Sequence, residues 1–391
     1  MFSPLLRAVA LALPLAGLAA AALPAPAAAL DDVGRYVFVP NRASADVAVI
    51  DTARDQVVAR VPVGNVPHQV VVSKATGKLI ASNTEDNTIS IIDLQSLRLA
   101  ATVTLDVEPE HMELAPGGQV LAVGNIGAGT VSLVSLTENR ELARVEGLIQ
   151  PHNMTFSPDG TLLYVANLGA DYVSVVDVAA ARVIDEIPVA GPTAIAAKDG
   201  TAGTEYQGII NVTATPDGRL GFAAHGEGNT MAVIDLGTRE KIKDLALGEL
   251  PWRAYATGDG RYMLVPNNGD GTVSVIDTKT LKVAATLPGA EDMTGINTGW
   301  FESTAFVISR GENKAVVLDL ETLTKAGEVP LPGTPETAVT TPDGFKIYVA
   351  LSEANQVAVI DTRTRRVIKT IAGVGEEPWG TTMLGALNYC H

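Results

Sequence analysis

Residues 153–177 read NMTFSPDGTLLYVANLGADYVSVVD, and residues 182–189 continue with Arg-Val-Ile-Asp-Glu-Ile-Pro-Val. Short runs rich in Val, Leu, Tyr and Phe alternate with breaks, and Ser157-Pro158-Asp159-Gly160 is a tight-turn signal between the first two runs. The stretch predicts four strands: Asn153–Phe156, Leu162–Asn167, Tyr172–Asp177 and Arg182–Val189. Four short strands with no helix between them form one compact antiparallel unit.

That unit recurs along the whole chain. The β-branched pentapeptide that closes its third strand returns as VAVID at Asp51, ISIID at Asp93, VSLVS at Ser135, VSVVD at Asp177, MAVID at Asp235, VSVID at Asp277, AVVLD at Asp319 and VAVID at Asp361. The spacings are 42, 42, 42, 58, 42, 42 and 42 residues. A period this strict identifies one supersecondary unit repeated around a closed or open array. The turn returns as Thr215-Pro216-Asp217-Gly218 and Thr341-Pro342-Asp343-Gly344, with Ala115-Pro116-Gly117-Gly118 as a variant. The first unit, beginning at Tyr36, lacks an innermost strand, and the chain ends with an unpartnered one at Pro378–Leu384. Joining the two predicts an all-β, eight-bladed propeller of four-stranded blades over residues 34–384, with both termini sharing one blade. Seven blades is the alternative, should the divergent unit around Met293–Asp319 form none.

Leu163-Tyr164-Val165-Ala166-Asn167, the SPDG turn and the VSVVD strand resemble the YVTN-family β-propeller repeat. The resemblance implies an exported or surface protein of ligand-binding or unknown role, related to propellers of the cytochrome d1-like and quinoprotein-like kinds that bind haem d1, metals or quinone cofactors. It does not name a reaction. Asn41, Asn83, Asn125, Asn167 and Asn267 occupy one repeat position, where His225, Ser309 and Leu351 replace Asn. Turn geometry and backbone bonding account for the Asn series.

Residues 1–29 read as a signal peptide: Arg7, an apolar run from Ala8 to Leu23, and an Ala27-Ala28-Ala29 cleavage site. Its removal takes away one positive charge and no acid, so the net charge of −16 becomes −17. The expected location is periplasmic or secreted, with no membrane span after processing. Such an acidic surface repels phosphate backbones and argues against a nucleic-acid partner. Cys390 is the single cysteine, so no internal disulfide forms. With His391 it belongs to a tail of residues 385–391.

Aligning the repeats places eight residues at the start of the innermost strands, around the mouth of a central funnel. In order they are His68, Glu110, His152, Ile210, Trp252, Thr294, Glu336 and Trp379. The next position reads Gln69, His111, Asn153, Asn211, Arg253, Gly295, Thr337 and Gly380. His68, His111, His152 and His225 therefore fall near one face, with Glu110 among them. Imidazoles and a carboxylate converging on a point are the ligand set of open zinc or non-haem iron sites. His68, Glu110, His111 and His152 are the candidate metal ligands, with His111 as a ligand or an orienting partner. The competing reading is a wet, metal-free polar pocket. Met112 and Met154 raise a copper alternative against core filling.

Trp252, Arg253, Glu336, Trp379 and His225 are the candidate ligand-binding residues, the two tryptophans offering walls for a flat ligand such as a tetrapyrrole. A divalent ion is the first cofactor expectation and a tetrapyrrole the second. The 16 residues beyond the period fall near Ala190–Gly208 and suggest a lid over the funnel. No nucleophile elbow, phosphate loop, Cys-x-x-Cys-His or Gly-His…Trp-Asp signature is present. Three functions remain: a binding protein holding a metal, cofactor or small ligand, with or without a periplasmic protein partner; a metal-assisted lyase or hydrolase on the same residues; and a protein-interaction scaffold.

Overall fold

The computed structural model describes Leu30 and residues 32–189 and 208–386. The signal segment, nearly all of the insertion read as a lid, and Cys390 and His391 lie outside the described residues. The best-formed unit folds as Pro151–Phe156, Leu162–Asn167, Tyr172–Asp177 and Arg182–Pro188, within two residues of the expected bounds. Eight four-stranded antiparallel sheets form the blades of a β-propeller. The divergent unit, Met293–Gly299, Thr304–Ser309, Lys314–Asp319 and Thr324–Pro330, is a complete blade, which sets the seven-bladed alternative aside.

Ring closure follows the expected exchange of strands. Thr382–Met383 adds to the first three N-terminal strands as the innermost strand of blade 1. Met383 pairs with Val37 and Thr382 with Phe38, while Pro378 bridges Asn41. Lys346 of blade 8 reaches Asp55 of blade 1 at 2.9 Å.

The burial pattern explains the sequence of each strand. The second and third strands are covered on both faces by neighbouring blades, so they read as apolar runs such as Ala315–Leu318. The outermost strands alternate, as in Arg366–Ala372, because one face meets water. Among the described residues, the apolar core divides into eight clusters, one between each pair of adjacent blades. The cluster joining blades 8 and 1 contains Val339, Tyr348 and Val359 on one side and Val37, Ile50 and Met383 on the other. Met112 and Met154 lie in two of these clusters, so the copper reading gives way to core filling.

Polar residues of the repeat have local tasks. Asn125, fully buried, donates to Thr130 Oγ1 at 3.0 Å and Ser132 Oγ at 2.9 Å, tying the second strand to the third. Asn83 and Asn267 make the same pair of bonds. At the opposite face, Asp217 Oδ1 accepts from Arg219 N and from Thr215 Oγ1, and Gly218 takes the positive φ that the turn requires.

Candidate metal and ligand site

The innermost strands are not regular at their mouth-side ends. In blade 3, Pro109 pairs with Asn125 but Met112 pairs with Val123, so three steps on one strand oppose two on the other. The same single-residue bulge occurs at Pro67/Val70 in blade 2, Pro151/Met154 in blade 4 and Pro335/Ala338 in blade 8. A bulge re-aims side chains that a flat strand would send to opposite faces. Glu110 and His111 are consecutive, yet both offer ligand atoms to the same point. The residues entering these strands carry backbone strain: Val66, Glu108 and Gln150 have φ of 50°, 57° and 47°.

Ligand atoms of His68, Glu110 and His111 all lie within 4.8 Å of one another. His152 adjoins this trio through His111, its Nε2 standing 2.9 Å from His111 Nε2. The His68 and His111 rings meet edge to face with centroids 5.1 Å apart. All three histidines are buried, whereas Glu110 is half-buried. Two nitrogens bound to one tetrahedral zinc-sized ion, each about 2.0–2.1 Å from it, stand about 3.4 Å apart. The His111–His152 pair needs only a small opening to reach that spacing.

The protonation pattern of His152 follows from its neighbours. Its Nδ1 lies 3.0 Å from the Ile210 carbonyl oxygen. A carbonyl can only accept, so Nδ1 carries the proton and Nε2 presents a lone pair toward His111. Asn153 Nδ2 stands 3.0 Å from the same Nδ1, and the Asn153 amide can turn its oxygen there, an option the carbonyl lacks. Anchoring one ring nitrogen on a backbone carbonyl is how metal-binding histidines are oriented. The Glu110 carboxyl is pushed up to about 7, first by burial and then by Glu108, with Arg42 opposing. A nearby cation would return it to the charged form. Further down the same strand, burial raises Glu113 to about 8, opposed by Arg253.

The other predicted residues divide. Trp379 belongs to the cluster: its ring is 6.2 Å from that of His68, and the Arg42 guanidinium lies 4.1 Å from its centroid. Trp252 and Arg253 are buried, with Arg253 5.4 Å from the Tyr255 ring. Glu336 is engaged elsewhere, accepting from Ser352 Oγ at 2.6 Å and pairing with Arg310 at 3.4 Å. His225 Nε2 bonds Asp171 Oδ1 at 3.0 Å. Sequence reading missed Arg42, which follows the Asn position of the first unit and carries no motif of its own.

Two family models match parts of the chain: a YNCE-like β-propeller over residues 222–387 and a seven-bladed lactonase β-propeller over residues 93–202. A seven-bladed β-propeller protein of Mycobacterium tuberculosis is 33% identical over 129 residues, which cover 32% of this chain and 33% of that protein. The chain thus matches only about a third of that relative's length, and the blade number differs. Among solved structures, the dihydro-haem d1 dehydrogenase NirN, in complex with DHE, superposes with a TM-score of 0.72 at 19% identity, covering 93% of this chain and 78% of that one. Kuenenia stuttgartiensis hydrazine synthase gives 0.58 at 22% identity, covering 76% and 95%. These similarities establish a shared propeller fold.

Proposed function

We propose that this chain is a binding protein that holds a divalent metal ion at the funnel mouth, with His68, Glu110, His111 and His152 as its ligands. The observation that carries the reading is convergence: His68, Glu110 and His111, from two consecutive blades, bring ligand atoms within 4.8 Å of one another, and His152 of the next blade stands 2.9 Å from His111 in the tautomer that presents its Nε2 lone pair. Three neutral nitrogens and one carboxylate suit zinc or ferrous iron. The surrounding apolar blades restrict water and strengthen the attraction. Binding is favoured over catalysis and over a scaffold role, since a scaffold needs no such cluster. The apolar run before Ala29 supports an exported, periplasmic location.

Metal analysis of the purified protein against a His68→Ala/His152→Ala double variant tests this. The expected result is about one ion per wild-type chain and a large loss in the variant. Equal, negligible metal in both would sink the proposal. A tetrapyrrole is the second reading, favoured by the Trp379–Arg42 stack beside His68 and by a fold that in NirN accommodates DHE. A visible absorption band in the purified protein would support it.

A further inference from the structure

The repeat supplies an internal comparison that gives Arg42 a role. Arg42 and Arg310 hold the same position in their units, each following the second strand, and each donates its backbone N–H to a residue on the approach to the innermost strand of its own blade. Arg42 N bonds Glu377 O and Arg310 N bonds Asp292 O, both at 2.9 Å. Their side chains differ. The Arg310 guanidinium is saturated by carboxylates, Asp292 at 2.7 Å and Glu336 at 3.4 Å. Glu336 is the funnel-mouth residue of the following blade, 26 positions on. The same step from Arg42 arrives at His68, which offers no carboxylate, and Glu377, the counterpart of Asp292, makes no ion pair with Arg42.

Among the described residues, the Arg42 guanidinium forms no ion pair or hydrogen bond with another side chain. Instead it stacks on Trp379, whose ring stands beside His68. Arg35 pairs with Asp51, Arg60 with Asp46 and Arg144 with Asp106; Arg98, Arg182 and Arg366 also lack a pair but are exposed, whereas Arg42 is half-buried. Arg42 is close enough to oppose the rise of the Glu110 carboxyl. Stacking fixes the guanidinium plane and leaves its edge, with its fork of donors, open for a planar two-oxygen acceptor. An anion approaching a protein of net charge −16 meets general repulsion, so a local cation has to hold it.

We infer that Arg42, stacked on Trp379, is the carboxylate-recognition residue of the funnel-mouth site: a ligand bound beside His68 supplies the carboxylate that Glu336 supplies to Arg310. The inference names the ligand class for the site described above, and so rests on that site being a ligand pocket. It does not require the metal. The carboxylate can belong to a small acid that also meets the ion, or to the side chain of a tetrapyrrole.

Malonate is titrated by calorimetry into zinc-loaded and metal-free protein, wild type against Arg42→Gln and Arg42→Lys. Losing a charge-assisted, two-pronged contact should weaken malonate binding about tenfold or more in Arg42→Gln, with partial recovery in Arg42→Lys. Metal content should not change. In parallel, iron protoporphyrin is titrated and followed by visible absorption; a shifted band that Arg42→Gln weakens, without a malonate response, assigns the carboxylate to a tetrapyrrole. If wild type binds no zinc but still binds either probe through Arg42, the metal proposal fails and this one stands. Binding of neither probe, or equal binding by wild type and Arg42→Gln, overturns the inference.

Discussion

The Glu110 carboxyl makes a prediction that separates function from stability. Its folded-state value of about 7 lies above the ordinary 4.5, so between those limits the folded protein holds a proton that the unfolded chain has lost. Stability therefore falls as pH rises through this window, and above pH 7 the cost is complete. The interval corresponds to about 3 kcal/mol at most, and contact with water through the funnel mouth reduces it. Glu110→Gln keeps the shape of the protonated side chain and cannot ionise. In metal-free protein, with a chelator present, the variant should be more stable than wild type near pH 8 by about 1–3 kcal/mol, and by under about 1 kcal/mol near pH 5. Glu113, raised to about 8, titrates in both proteins and cancels from the comparison. Urea unfolding at the two pH values measures the difference. With zinc added the order should reverse, because only wild type offers the anionic ligand that the ion stabilises. A variant no more stable than wild type near pH 8, or one whose advantage is the same at both pH values, would refute the reasoning.

Two further outcomes follow from where side chains sit. His152→Ala should remove most bound metal while His225→Ala leaves it unchanged, because His225 is bonded to Asp171 rather than to the cluster; metal analysis of the two single variants decides this. Met383→Ala should cost about 2–5 kcal/mol in urea unfolding, since this buried side chain sits in the cluster that closes blade 8 on blade 1. A loss below about 0.5 kcal/mol, the size of an ordinary surface substitution, would mean that the closing strand contributes little to the ring.

The fold was legible because each repeated residue meets a local demand that recurs in every blade. A β-branched third strand is needed wherever two blades sandwich it, and Asn125 shows why Asn ends the second strand: its amide satisfies Thr130 and Ser132 together in a place closed to water. The site was legible only in part. Counting along the repeat brought His68, Glu110 and His152 to one rim, but alternation would have sent Glu110 and His111 to opposite faces. The bulge that reunites them depends on the register between strands, and register is a pairing property that spacing along one strand does not express. The same counting placed Glu336 among the candidate ligand-binding residues but did not foresee that Ser352 and Arg310 bind its carboxylate.

That last case shows how an internally repeated protein separates structure from function. Columns of the repeat on which the units agree carry requirements of blade closure, so a departure there, such as His225, has to find its own partner in Asp171. The funnel-mouth column does not agree: it runs through histidine, glutamate, isoleucine, tryptophan and threonine, because closure asks nothing of it beyond a bulge. Such a column is free to differ, and the differences become readable when one unit solves a problem that another leaves open. Blade 7 presents an arginine and blade 8 answers with Glu336; blade 1 presents Arg42 and blade 2 answers with His68. An arginine that the following blade answers with no acid, beside three histidines and a half-buried carboxyl, is the imbalance that a bound carboxylate would correct.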